Sequence, residues 1–207
     1  MEPENVLYVK RLAGSSESMD KREHILRAAQ VLFAQFGLKK VTTDDIAREA
    51  SVSKATIYKH FHNKSEIFDE VVGTESRELL DAIKAAVDAE PTVVGKFKAH
   101  LLTRMGKIQE FINFYRVTQE TWGDYWPHIS QVRKRFLREE KQIVKDVLTL
   151  GNQRNELCVN DVNLSSLIMV VALTSVEYTW ALEEEGLTLS TYIDKMLDMM
   201  IQGIEKR

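Results

Sequence analysis

The side chains best placed to act on a partner are Lys54, Thr56, Tyr58, Lys59 and His60. They alternate with Ile57 and Phe61, whose i, i+4 spacing gives a short helix one apolar face and one polar, net basic face. Such a face suits a polyanion. A lysine donates to guanine O6 and N7, and a threonine methyl meets the thymine methyl, so Lys54 and Thr56 are expected at base edges in a DNA major groove. Tyr58 and His60 are expected at phosphates. Lys64 joins them at the start of the next helix, where backbone N–H groups help to hold an anion. The competing reading is a solvated polar face.

Other chemistries find less support. His60 and His62 resemble a metal pair, but residues two apart do not share a helix face, and no cysteine or further histidine accompanies them. His24, His100 and His128 are scattered. No Gly-rich phosphate loop, nucleophile elbow or zinc signature is present, so neither an enzyme nor a cofactor or metal is expected. The aromatic stretch with Phe111, Phe114, Tyr115 and Trp122 is either core or the wall of a ligand cavity between helices. Met105, Phe136 and Tyr178 are grouped with that wall. Glu140 and Glu177 each fall inside an apolar helical stripe, and a buried carboxylate needs a partner. Glu140 pairs with Arg104 or Arg116, sits at the stripe's edge, or anchors a cationic ligand in an aromatic cage.

The DNA-facing side chains need two helices to position them, and Val41 to Lys64 has that form. A first helix from about Thr43 to Ala50 carries Ile46, Ala47 and Ala50 at helical spacing. Thr42 or Thr43 can cap it, and Asp44 and Asp45 suit the positive end of its dipole. Ser51-Val52-Ser53 breaks the pattern, and Ser53 can cap a second helix from Lys54 to Phe61. Ala47 is the small residue that lets the two helices cross closely. Ser51 stands where such turns prefer glycine, and a positive φ there is expected to store about 1 kcal/mol of strain. Asp20 to Phe36 forms a bracing helix with stripe Ile25, Ala28, Ala29, Leu32, Phe33 and Phe36, ended by Gly37.

Arg22 to Phe68 resembles the DNA-binding domain of TetR-type (tetracycline-repressor family) transcription regulators. The resemblance is carried by Ile25-Leu26, Ala28-Ala29, Leu32-Phe33, Phe36-Gly37, Thr42-Thr43, Ile46-Ala47, Ala50 to Ser53, Thr56-Ile57-Tyr58, His60-Phe61, Asn63-Lys64 and Phe68. It covers about the first third of the chain and does not extend into the rest. It implies that the second helix is a recognition helix, with Lys54, Ala55, Thr56, Tyr58 and His60 at the matching positions. Thr43 matches a phosphate-contacting position. Asp44 departs from the basic or polar residue often found there and is left out of the contact set. The resemblance further implies an inducer pocket in the later helices. It also implies a homodimer formed by the last two.

The remaining sequence fits that expectation. The 207 residues contain three Pro and nine Gly, which favours an all-α fold. About nine helices are expected. One opens with Ser65 as N-cap and Glu66 in its first turn. Gly123 and Pro127 mark breaks. Ile129 to Leu150 carries the stripe Ile129, Val132, Phe136, Ile143, Val147 and Leu150, with Gly151-Asn152 at its end, and Val162 to Leu182 and Leu189 to Ile204 follow. Residues 1–18 are read as a flexible tail, 19–64 as the helix-turn-helix domain and 65–207 as a ligand-binding and dimerisation domain. Asp20 to Glu66 holds nine Lys/Arg against six Asp/Glu, whereas the chain as a whole has net charge −3. A mildly basic module on an acidic body presents one end to phosphates. One cysteine, Cys158, suits a reducing cytoplasm, and no signal-peptide pattern is seen. Leu167 to Leu173, the longest apolar run, is too short to span a bilayer. The expected partners are therefore a double-stranded operator, a small-molecule effector and a second copy of the chain, with no membrane. A helical ligand-binding or scaffold protein without DNA-binding activity is the alternative.

Overall fold

The structure, a computed structural model, describes residues 20–107, 126–174 and 188–204. Eight α-helices and no strand occur among the described residues. The aromatic stretch from Phe111 to Tyr125 and the end of the expected Val162 to Leu182 helix lie outside them. The chain divides into two compact units, one centred on residues 20–76 and the other on residues 77–107 with 133–204.

The first unit contains α1 (Lys21–Phe36), α2 (Thr43–Glu49), α3 (Lys54–His60) and the beginning of α4 (Lys64–Ala89). Its core joins Ile25, Ala29 and Phe33 of α1 to Ile46, Ile57 and Val72 of the other helices, all essentially inaccessible. Phe33 meets Phe68 edge to face, with ring centroids 5.1 Å apart. Gly37 adopts φ 77, which only glycine enters without strain, and its N–H donates to the Phe33 carbonyl at 2.9 Å. The chain turns there, and Leu38 and Val41 close that end of the core. Phe36, expected on the buried stripe, is consequently 50% exposed. Two polar links tie α1 to α4. Arg22 pairs with Glu70, its guanidinium 5.1 Å from the Phe61 ring centroid, and Gln30 donates to buried Glu75 at 3.0 Å. The start of α4 is capped by Asn63, whose Oδ1 accepts from the Glu66 N–H at 2.9 Å, and not by Ser65 as expected.

The second unit contains the rest of α4, then α5 (Val93–Gly106), most of α6 (Trp126–Gln153), α7 (Val162–Thr174) and α8 (Leu189–Ile204). Thr92 caps α5 by accepting from the Gly95 N–H at 3.0 Å. Lys98 of α5 pairs with Asp194 of α8 at 2.6 Å. Pro127, expected as a break, is the second residue of α6, where a missing N–H costs little. Gly151, expected to end that helix, lies inside it. A Cβ there would fall 2.5 Å from Leu157 Cδ1, so glycine allows the returning chain to pack closely. The buried face of α6 runs through Phe136, Glu140, Val144, Val147 and Leu148, displacing Ile143 and Leu150 to half-buried positions. On α7, Leu164, Leu167, Ile168 and Val171 are 37–58% exposed. No helix among the described residues is long and apolar enough to cross a membrane.

Candidate nucleic-acid interface and effector region

Local chemistry fixes α2 and α3 at both of their starts. Thr42 and Asp45 form a reciprocal capping box. Thr42 Oγ1 accepts from the Asp45 N–H at 3.2 Å, and the Asp45 carboxylate accepts from the Thr42 N–H at 3.0 Å. Of the two threonines considered, Thr42 is the cap, and Thr43 is the first helical residue. The Thr42 hydroxyl and backbone N–H, helped by Arg48, hold the Asp45 carboxyl below its ordinary value. Ser51 has φ 52, and the turn closes by a 2.9 Å bond from the Val52 N–H to the Ala47 carbonyl. Ser53 then caps α3, its Oγ accepting from the Thr56 N–H at 3.1 Å.

Ile57 is buried, so the remaining positions of α3 turn outward. Lys54, Ala55, Tyr58 and Lys59 are exposed, and Thr56, His60 and Thr43 are half-buried. The Thr56 hydroxyl lies 2.8 Å from Ser53 Oγ. Lys54 does not project alone. Its Nζ donates to Asp44 Oδ2 at 2.9 Å, and Asp44 raises its pKa, keeping it a cation. Sequence reasoning had set Asp44 aside; opposite charges ten residues apart across the turn were the available signal. Lys64 also differs from expectation. Its Nζ donates to the carbonyls of Leu38 and Val41, both at 2.7 Å, and burial lowers its pKa. Two of its three N–H groups therefore hold the α1–α2 loop, leaving the backbone at the start of α4 as the expected anion donor.

Of the expected effector residues, Met105, Phe136 and Glu140 are described, and all three are buried in the second unit. Phe111, Phe114, Tyr115, Trp122, Glu177 and Tyr178 lie outside the described residues. Glu140 is fully buried, accepts from Arg104, and has His100 Nε2 at 3.0 Å. Burial alone would raise its pKa, but Arg104 and His100 outweigh burial and hold it below the ordinary carboxylate range. The Arg104 guanidinium also lies 5.5 Å from the Phe136 ring centroid. Of the expected alternatives for Glu140, the structure gives the pairing with Arg104; Arg116 falls outside the described residues. Among the described residues no group of three or more His, Cys, Asp or Glu could hold a metal ion.

This arrangement has relatives. Residues 25–71 match the family described as bacterial regulatory proteins, tetR family. An uncharacterised HTH-type transcriptional regulator of Bacillus subtilis (strain 168), YhgD, is 27% identical over 191 residues, spanning 90% of this chain and 98% of that protein. The HTH-type transcriptional regulator QacR of Staphylococcus aureus is 25% identical over 193 residues, spanning 91% of this chain and 100% of QacR. Sequence similarity thus runs nearly the full length of the chain, beyond the first third in which it was recognised. Among solved structures, FadR of Bacillus subtilis, in complex with stearoyl-CoA, superposes with TM-score 0.70 at 21% identity, covering 88% of this chain and 99% of FadR. The capped helix pair and the basic face of α3 thus lie in the segment that matches the tetR family, and the chain is similar over nearly its whole length to HTH-type transcriptional regulators.

Proposed function

We propose that the protein is a homodimeric repressor in the bacterial cytoplasm, released from a palindromic operator by a small-molecule effector. The observation that carries this reading is the outward face of α3, capped by Ser53 and locked behind by Ile57. Residues 19–64 act as the DNA-binding domain and residues 65–207 as the effector and dimerisation domain. Lys54, Ala55 and Thr56 meet base edges. Thr43, Tyr58, Lys59, His60 and the backbone at Lys64 meet phosphates. The exposed apolar side chains of α7 support pairing with a second copy. A two-fold dimer repeats the recognition helix, and copies about 34–36 Å apart reach successive major grooves.

The effector would bind in the second unit, beside Met105 and Phe136. The complex of the FadR neighbour with stearoyl-CoA supports a fold that accepts organic ligands. An effector favouring a different setting of α4 would lower operator affinity. Coupling of about 1–3 kcal/mol per site makes a useful switch. The test is selection of duplexes from a randomised pool, followed by binding across salt concentrations and sedimentation of the free protein. A palindromic site, a steep salt dependence and a dimer support the reading. A monomer indifferent to every duplex at low ionic strength leaves the helical scaffold or ligand-binding protein in its place.

A further inference from the structure

The Lys54–Asp44 pair has no evident structural task. Both side chains are about half exposed, 49% and 58%, and exposed pairs add little to stability. The pair lies on the outward surface of the helix-turn-helix, and a carboxylate there opposes the DNA backbone. Its acidic neighbour on α2 is otherwise engaged: Asp45 is held by Thr42 and Arg48. Lysine is a point charge on a flexible stem and will follow the nearest phosphate unless something restrains it. Asp44 supplies that restraint through one of the three Nζ hydrogens, leaving two free to donate.

Two free donors beside one carboxylate match one base-pair edge better than the other. In the major groove G·C offers two adjacent acceptors, guanine N7 and O6, followed by the cytosine N4 amino donor. A·T places the adenine amino donor between two acceptors, so a lysine finds one acceptor and the carboxylate is out of register. We propose that Asp44 and Lys54 together read one G·C base pair in each half-site. Lys54 donates to guanine, and Asp44 accepts from cytosine N4 while steering Lys54 away from phosphate. Asp44 is thus a specificity-determining residue, although its acidic side chain departs from the basic or polar residue often found at that position. This inference rests on the DNA-binding reading above.

The experiment selects duplexes from a randomised palindromic pool with the full-length wild type, Asp44→Ala and Lys54→Met. The expected wild-type pool contains one strongly preferred G·C column per half-site. Asp44→Ala still retains duplex but loses about tenfold of the preference in that column, within the range for one mismatched base pair. It also binds a non-palindromic control duplex more tightly at low salt, because a charge opposing phosphate is gone. Lys54→Met loses the same column together with affinity. Thermal melting of each variant checks folding, and a purely structural Asp44 would change melting and leave the column intact. An unchanged G·C column in Asp44→Ala overturns the inference. Failure of the wild type to retain any duplex overturns the DNA-binding reading itself.

Discussion

Single residues carry the clearest consequences. Ser51 adopts φ 52, a region that costs a residue with a Cβ about 1–2 kcal/mol. Ser51→Gly is expected to stabilise the protein by about 1 kcal/mol less the entropy glycine adds to the unfolded chain, and urea denaturation measures the net. This strain was readable in the sequence, because the turn geometry is local and depends on one side chain. The role of Lys64 was not readable: its acceptors lie 23 and 26 residues away and become neighbours only after folding. Glu140 stands between these cases. Its place on the α6 stripe foretold burial, and Arg104 was one of two candidate partners. Glu140→Ala leaves a buried arginine without its carboxylate and should cost about 3 kcal/mol or more by denaturation. The stabilisation Glu140 contributes is present above its unfolded pKa and is lost as pH falls through its lower folded pKa. The wild type should therefore weaken on acidification below about pH 4.5, and Glu140→Ala should weaken less steeply.

Secondary structure was most legible where side chains announce an end. Thr42, Ser53 and Gly37 mark boundaries in the sequence and in the structure alike, because each satisfies backbone groups within a turn of itself. Thr42→Ala should cost about 1 kcal/mol and loosen the start of α2, which amide hydrogen exchange in α2 can follow. It should also relieve part of the depression of the Asp45 pKa, since it removes the Thr42 hydroxyl, the leading cause, and keeps the backbone N–H. Part of the stability lost on acidification then disappears. Boundaries set by distant packing were missed. Pro127 and Gly151 read as interruptions because proline and glycine usually are. One is harmless at a helix start, and the other sits inside α6 because Leu157 packs against its open face. The buried register of α6 also shifted, from Ile143 to Val144, because Glu140 occupies the line between Phe136 and Val144.

The whole molecule combines a recognisable reading head with a body whose sequence says less. Helix-turn-helix geometry constrains nearly every residue from Ile25 to Val71, so its pattern survives in one sequence. A helical body needs only apolar residues of suitable size at buried positions, and many sequences meet that demand. Similarity there emerged only over the full length, at 25–27% identity. The apolar side chains of α7 make a prediction at this scale. Ile168, 58% exposed, replaced by glutamate should leave the monomer folded by circular dichroism and abolish dimerisation in sedimentation. Operator binding should weaken at least tenfold, because one recognition helix then acts alone.

The outward apolar side chains of α7 also bear on how much protein a cell must make. Where protomers separate on dilution, the species able to grip both half-sites falls with the square of the total concentration. Promoter occupancy would then respond to copy number through a threshold rather than in proportion. The unfolding midpoint would climb as the sample is concentrated, since association draws the equilibrium toward the native state.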